Sequence, residues 1–540
     1  MAEGDGFDAV VVGSGVNSLA CGALLARGGW RVCVLERNAW LGGAIKTEEL
    51  TEPGFHHDVY SAWHPLWVGG AAHAALGDEL AKRGLEYLNT DLPTGTAFPD
   101  GSAAFLLRTA EANAEELGPE WKNEVERFLA NADLAFGVLG TELWSPAGLA
   151  LAAKAVRRLG RAGAAAFLGE VLQSSRDWLE TTFAAGRTHG VLAPWVLHTG
   201  LGPDQATSGF MTQVIAVALQ EGGLPIPRGG GAKLAEALVQ LIRDHGGTCE
   251  TDRDVERVLV HNGRATGVRL TDGETVKAER AVVASVTPTQ LYERLLADAD
   301  VPAPVAEGAR RFRYGRAEMQ IHYALSEPPR WDGDERLAGT AIVHATPGLD
   351  GVSRAVNEAD RGLLPAEATI VVGQPLTIDP SRAPDGKGIL WIQLQELPWR
   401  VKGDAAGELD SGGGEWTDEL RERYADRIQG RLARHIPNLE SSILKRVALG
   451  PHDLERANVN LRHGDPYGGA LALDQNFLWR PFPRSPGHTT PVERLWQIGA
   501  STWPGPGLGG GSGALVAQKL LEPPLSQRAV ARARGLLGRL

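Results

Sequence analysis

An α/β fold is predicted by three observations. Residues 10–37 (VVVGSGVNSLACGALLARGGWRVCVLER) run strand, glycine turn, helix, strand. Residues 494–521 (RLWQIGASTWPGPGLGGGSGALVAQKLL) again read strand, glycine-rich loop, helix. The chain has 540 residues, more than one hydrophobic core organises, because single cores stop growing near roughly 250–300 residues. Together these features predict a Rossmann-like nucleotide-binding domain assembled from discontinuous segments, with an α+β substrate domain inserted between them. The predicted division is 1–72, 222–300 and 484–540 for the nucleotide-binding domain, and 73–221 and 301–483 for the substrate-binding domain.

The elements follow in order. Continuous valines place the first strand near residues 8–12, and RVCVLER (31–37) supplies the second. GTAFPDGSAAFLL (95–107) reads as a hairpin, because Pro99, Asp100 and Gly101 give turn chemistry between two apolar runs. From about 118 to 221 the pattern is mostly helical. PRGGGAKLAEALVQLIRDHGG (227–247) is a glycine turn opening a helix, with no apolar strand before it, so it is not a second nucleotide fingerprint. Residues 250–285 are short strands with turns at Asn262-Gly263 and Asp272-Gly273. Residues 367–376 and 388–397 are further strands. Beyond a glycine-rich acidic loop (403–414), Leu420, Tyr424, Ile428, Leu432 and Ile436 recur every fourth residue, the core stripe of a helix.

Charge and cysteine usage exclude several classes. A formal net charge of −12 argues against a nucleic-acid partner, which needs a basic surface. Cys21, Cys33 and Cys249 show no C-x-x-C spacing, so redox-dithiol and structural zinc readings have no basis and no metal site is expected. The odd cysteine count and the absence of a leader pattern point to the reducing cytoplasm. No apolar stretch approaches the roughly 18–20 residues that cross a bilayer. Peripheral membrane contact is expected through 149–169, where Lys154, Arg157, Arg158 and Arg161 form a basic face beside Leu151, Ala155, Val156 and Leu159, and through the similar tail 528–540.

At the N-terminal unit, Gly13 gives the tight turn and Gly15 lets the backbone approach a pyrophosphate at the positive end of the helix. The third glycine of the usual pattern is Ser18, small enough to allow close helix–strand packing. Glu36 ends the second strand about 20 residues on, where an acid binds ribose hydroxyls and disfavours a 2′-phosphate. Leu41, Gly42 and Gly43 follow, a second glycine pair suited to packing against the same ligand.

ERNAWLGGAIKTEELTEPGFHHDVYSAWHP (36–65) resembles the segment after the second strand in flavin-dependent phytoene desaturases and related amine-oxidase-like oxidoreductases. GASTWPGPGLGGGSGALVAQKL (499–520) resembles that family's closing flavin motif. DLERANVNLRHGDPYGGALALDQNFLWRPFP (453–483) is similar to the branch labelled pyridine nucleotide-disulfide oxidoreductase domain-containing proteins, although this sequence has no redox C-x-x-C. The resemblance implies non-covalent FAD. It places Gly13, Gly15, Ser18, Glu36, Arg37, Gly42 and Gly43 around the ADP half and ribityl chain, and the Val255 backbone near the adenine. It brings Gly499, Gly507, Leu508, Gly509 and Gly511 toward the flavin, where a helix start favours the anionic reduced ring.

The implied activity is an FAD-dependent dehydrogenase or desaturase passing hydride from an apolar, isoprenoid or polyene-like small molecule to flavin N5, with an electron acceptor that these motifs leave open. The alternatives are a flavin amine oxidase, expected to show an aromatic cage for which Trp503 is the obvious candidate, and a non-catalytic flavin-binding regulatory protein. The richest polar cluster, FHHDVYSAWHP (55–65), offers His56, His57 and His64 as general bases. Trp503, Pro504 and Pro506 are placed to wall one face of the ring, and Trp121, Trp144, Trp178, Trp195 and Trp391 suit an apolar cavity. His322, alternating on a strand, reads as a satisfied core histidine.

Overall fold

The computed structural model describes residues 6–184 and 186–522. A seven-stranded sheet is built from three separated stretches of chain. Its strands are β1 (Phe7–Val12), β2 (Val32–Leu35), β3 (Thr248–Glu250), β4 (Val255–His261), β5 (Arg264–Leu270), β6 (Thr275–Ala284) and β7 (Leu495–Gln497). The order is β4-β5-β6-β1-β2-β3, with β7 also paired to β6. Strand β6 serves two neighbourhoods. Its first residues pair antiparallel with β5, whereas Ala281–Ala284 run parallel to β1, and Val282–Ala284 parallel to β7. The central valines are buried on both faces, as a parallel sheet covered by helices requires.

Helix α1 (Val16–Arg27) follows the glycine turn. It packs with α2 (Ala232–Asp244) and α3 (Gly511–Leu521) over one face of this sheet. The helices Ala71–Ala81 and Ala303–Arg310 also place side chains in the cores flanking this sheet: Ala72, Leu76 and Leu80 in one, Val305 and Ala309 in the other. The two helices therefore share the cores that flank the nucleotide-binding sheet. Their apolar faces complete a core that the sheet alone leaves open.

The second sheet also has seven strands. In order they are Ile443–Leu449, Ala317–Leu325, Gly388–Leu397, Ile370–Gly373, Ile342–Ala345, Thr94–Ala97 and Ala103–Leu106. Thr94–Ala97 and Ala103–Leu106 form the predicted hairpin. The long central pair is antiparallel, with Gln320 opposite Gln393 and His322 opposite Trp391. Alternation splits the pair's residues between two environments. Met319, Ile321, Tyr323, Leu390, Ile392 and Leu394 pack with Leu420, Tyr424, Ile428 and Leu432 of the helix Asp418–Leu432. Glu318, Gln320, Trp391, Gln393 and Gln395 face the other way, into a cavity between the sheets. Helices between residues 110 and 222 cover the remaining side.

Candidate functional site

A cavity of about 410 Å³ runs from the α1 glycine turn to the polar face of the second sheet. At the glycine end, the Gly13 amide, at φ +88°, donates to Leu35 O at 2.8 Å. Gly15 opens α1 with no side-chain cap, so the first-turn amides of the helix are left for an anion. A Cβ at Gly15 would meet nothing within 4 Å, because the space in front of it is the cavity. Glu36 is buried and gathers three donors: Ser14 N at 2.9 Å, Ser14 Oγ at 2.7 Å and Asn38 N at 2.9 Å. Its carboxylate therefore ties the glycine turn to the end of β2 and lies at the cavity wall.

Gly13, Gly15, Glu36, Arg37, Gly43, Val255, Gly499, Gly507 and Leu508 all line the cavity. Ser18, Gly42, Gly509 and Gly511 stand behind that wall. Ser18 is fully buried in α1. Gly42 bridges to Gly15, and a Cβ on Gly43 would come 2.9 Å from Gly15 Cα, so this glycine pair packs on the first turn as well as on the cavity. Gly511 faces Pro504, and Gly509 lies against Leu66.

The three histidines expected as bases, His56, His57 and His64, are not among the residues that line the cavity. His57 is buried, shares a 2.6 Å hydrogen bond with Thr51 Oγ1 and meets His322 edge-on at 5.3 Å. His64 is buried against Tyr87, whose hydroxyl lies 3.1 Å from Nδ1. His56 points outward beside Glu49. Burial holds His57 down to about 3 and His64 to about 4, so both are neutral structural groups. The same segment reaches the cavity through Tyr60, Ser61, Ala62 and Trp63 instead. The physical reason is the short ladder pairing Thr47–Glu48 with His57–Asp58, which turns Asp58 inward to a buried ion pair with Arg382. Asp58 also accepts from Gly231 N at 2.8 Å, locking the 227–231 turn. His322 is a core histidine whose Nε2 lies 3.1 Å from Val59 O, while its Nδ1 is buried without a hydrogen-bond partner.

The tryptophans divide. Trp195 and Trp391 line the cavity, Trp121 and Trp178 fill the helical core, and Trp144 is 61% exposed. Pro506 lines the wall, whereas Trp503 is buried and donates to Val138 O at 3.0 Å. Trp63 packs edge-on to Trp391 at 5.2 Å, and Trp195 stacks on His198 at 4.5 Å. With Ile215, Leu219, Leu224 and Ile342 they make one limb of the cavity largely apolar, its polar atoms including the Trp63, Trp195 and Trp391 indole N–H groups, buried without hydrogen-bond partners.

Sequence reasoning missed the polar residues between these motifs. Asn460 accepts from Thr287 N at 3.1 Å and donates to Ser285 O at 3.2 Å, closing the loop after β6. Arg253, Asp254 and Arg294 line the Val255 end. Glu318, Gln320, Gln393 and Gln395 form a polar patch on the same sheet face as Trp391. The one available signal was the alternation of polar residues in EMQIHYAL and WIQLQEL.

A glycine-turn cradle on a parallel sheet, opening into a cavity on a second sheet, defines a dinucleotide-dependent oxidoreductase. The open space at Gly15, the uncapped α1 start and the Glu36 carboxylate fit FAD, which supplies a two-electron acceptor when bound. The chain belongs to the flavin containing amine oxidoreductase family, whose model matches residues 19–434. It is 25% identical over 94% of its length to 92% of the mouse (Mus musculus) pyridine nucleotide-disulfide oxidoreductase domain-containing protein 2. It is 24% identical over 97% of its length to 96% of the neurosporene-forming phytoene desaturase of Cereibacter sphaeroides. An oxidoreductase from Methanosarcina mazei shares the fold, with a TM-score of 0.58, 17% identity and coverage of 95% of this chain and 100% of that one. The protein is thus an FAD-dependent oxidoreductase of the amine oxidase superfamily. Among the described residues, no helix is long and apolar enough to cross a membrane.

Proposed function

We propose that the reaction is dehydrogenation of a substrate with an apolar, isoprenoid or polyene-like body, its hydride passing to flavin N5. The observation that carries this reading is the tryptophan-lined limb, continuous with the glycine cradle and closed by Ile215, Leu219, Leu224 and Ile342. The residues' work is to bind the body by apolar burial, to orient a C–H bond and to exclude water. The proton that leaves as the hydride passes to N5 goes to solvent rather than to His56, His57 or His64, which lie outside the lining. The name of the C. sphaeroides relative supports an isoprenoid hydrocarbon skeleton. Anaerobic mixing of FAD-loaded protein with polyenes, terpenes, amines and acyl compounds tests it. Flavin bleaching by terpenoid or polyene compounds is expected; bleaching by simple amines alone would replace this reading with amine oxidation.

We infer further that the segment Pro146–Leu172, two helical stretches broken at Gly160 (φ +71°), meets an anionic lipid surface. This segment buries no residue, and Leu149, Val156 and Leu168 are exposed on it. Leu151, Ala155 and Leu159, expected on the outer apolar face, are half-buried instead. Lys154 and Arg158 pair with Asp133, whereas Arg157 and Arg161 are exposed cations beside the apolar residues. On a chain of net charge −12, this local basic and apolar strip complements anionic lipid. The second expected contact, 528–540, lies outside the described residues.

A further inference from the structure

The apolar limb adjoins, at Trp391, a patch that a pure hydrocarbon would leave unsatisfied. On the cavity face of the central strand pair, Gln393 Nε2 donates to Glu318 Oε1 at 2.7 Å, and Gln320 Nε2 donates to the same carboxyl. Gln395 Nε2 donates to Tyr467 Oη at 2.9 Å, and that hydroxyl spends its proton on Leu197 O at 2.7 Å. The partners fix the orientation of these amides, because each faces an acceptor. What remains is Glu318 Oε2, Gln320 Oε1 and Gln395 Oε1, all buried without a hydrogen-bond partner. Glu318, Gln320 and Gln395 are each no more than 3% exposed, and all three line the cavity. Buried polar groups left unpaired are costly, so a cluster of three marks where a polar group of a ligand belongs.

We propose that Glu318, Gln320 and Gln395 form a hydroxyl-recognition subsite, and that the substrate is an amphipathic alcohol. Its apolar body lies in the tryptophan limb, and its O–H lies against the patch. This deepens the proposed function and rests on it for the apolar body. A hydroxyl matches because it both donates and accepts. It donates to an amide oxygen and accepts from the Glu318 carboxyl, which burial keeps protonated up to about 8. An ammonium head would need that carboxyl ionised.

The test uses FAD-loaded protein at neutral pH with three ten-carbon probes: geraniol, the hydrocarbon myrcene and geranylamine. Binding is read from perturbation of the flavin absorbance. Apolar burial alone favours myrcene, so tighter binding of geraniol, by about tenfold or more, is the expected result. In Glu318→Leu, and separately in Gln395→Met, that preference of geraniol over myrcene is expected to collapse toward one. The second variant carries the test if the first does not load FAD. Equal binding of geraniol and myrcene by the wild type overturns the subsite, and water alone then fills it. An unchanged preference in both variants overturns it as well, and geranylamine as the tightest probe makes it a cation site instead. Absence of myrcene binding counts against the apolar limb, and so against the proposed function, while the geraniol arm still decides the subsite.

Discussion

Gly513 lies directly on Asn17. A methyl group on Gly513 would come 1.9 Å from the Asn17 carbonyl oxygen, and the Gly513 amide donates to Asn17 Oδ1 at 3.3 Å. This single close approach joins the first turns of α1 and α3, and with them both glycine motifs of the cofactor cradle. Gly513→Ala is expected to cost several kcal/mol, because backbone rather than a flexible side chain must move. Thermal unfolding and FAD retention check it together. A variant that melts like the wild type would mean that the two helices separate without penalty.

Gly15→Val is expected to abolish FAD binding and leave the fold intact. The added side chain meets no protein atom within 4 Å at its Cβ and projects into the space assigned to the pyrophosphate. The measurement is flavin released on denaturing the purified variant, alongside its circular dichroism. Full flavin retention would move the cofactor away from this turn.

Cys21, Cys33 and Cys249 are expected to be inert in the folded protein. All three are buried, and burial pushes each thiol up to about 12, leaving almost no thiolate at neutral pH. An aromatic disulfide reagent should titrate them only after unfolding. Fast reaction of any one of them with native protein would contradict the placement.

Stability is expected to fall as pH drops from about 6.5 toward 4. His57, His64, His198 and His322 are held neutral, at about 3, 4, 3 and 4, by burial above all. Below the ordinary histidine value the unfolded chain binds protons that the folded chain refuses, so unfolding is favoured across this window. Each such histidine contributes about 1.4 kcal/mol per pH unit. Glu318 acts at the other side: its raised value makes the fold weaker as pH climbs toward about 8. Glu318→Gln should therefore melt higher than wild type at pH 9 and nearly equal to it at pH 5. Melting curves across pH for both proteins decide the two signs.

Vesicles containing phosphatidylserine should co-sediment with the protein, and neutral phosphatidylcholine vesicles much less. Arg157→Glu with Arg161→Glu should abolish the difference, since about 1 kcal/mol is carried by each cation near an anionic surface. Equal sedimentation of the double variant would remove the segment Pro146–Leu172 from membrane contact.

The glycine cradle was legible in the sequence because its constraints are local. Gly13 needs a positive φ, Gly15 needs an empty Cβ position and Glu36 ends a strand, and each requirement is written in a few adjacent residues. The strands at 95–107, 250–285 and 388–397 were legible for the same reason. The catalytic surface was not. His57 and His64 stand in a conspicuous polar run, yet whether such a residue faces a cavity depends on a two-residue ladder and on Arg382, more than 300 positions away. The Glu318 patch shows the same limit. The alternation of EMQIHYAL reveals two faces, but only the pairing of Gln320 with Gln393 and the depth of burial reveal which face is core.

The strand order of the first sheet has a consequence for biosynthesis. Strand β1 and helix α1 come before β6 and α3, which flank them, and before β7, which pairs with β6; these come from beyond long inserted stretches. Until residues 495–521 emerge, the nascent cradle lacks one wall, and α1 lacks its neighbour at Asn17. Contacts of such sequence separation form late and slowly. Cofactor capture is therefore expected to follow translation through residue 521, when the two glycine motifs can meet.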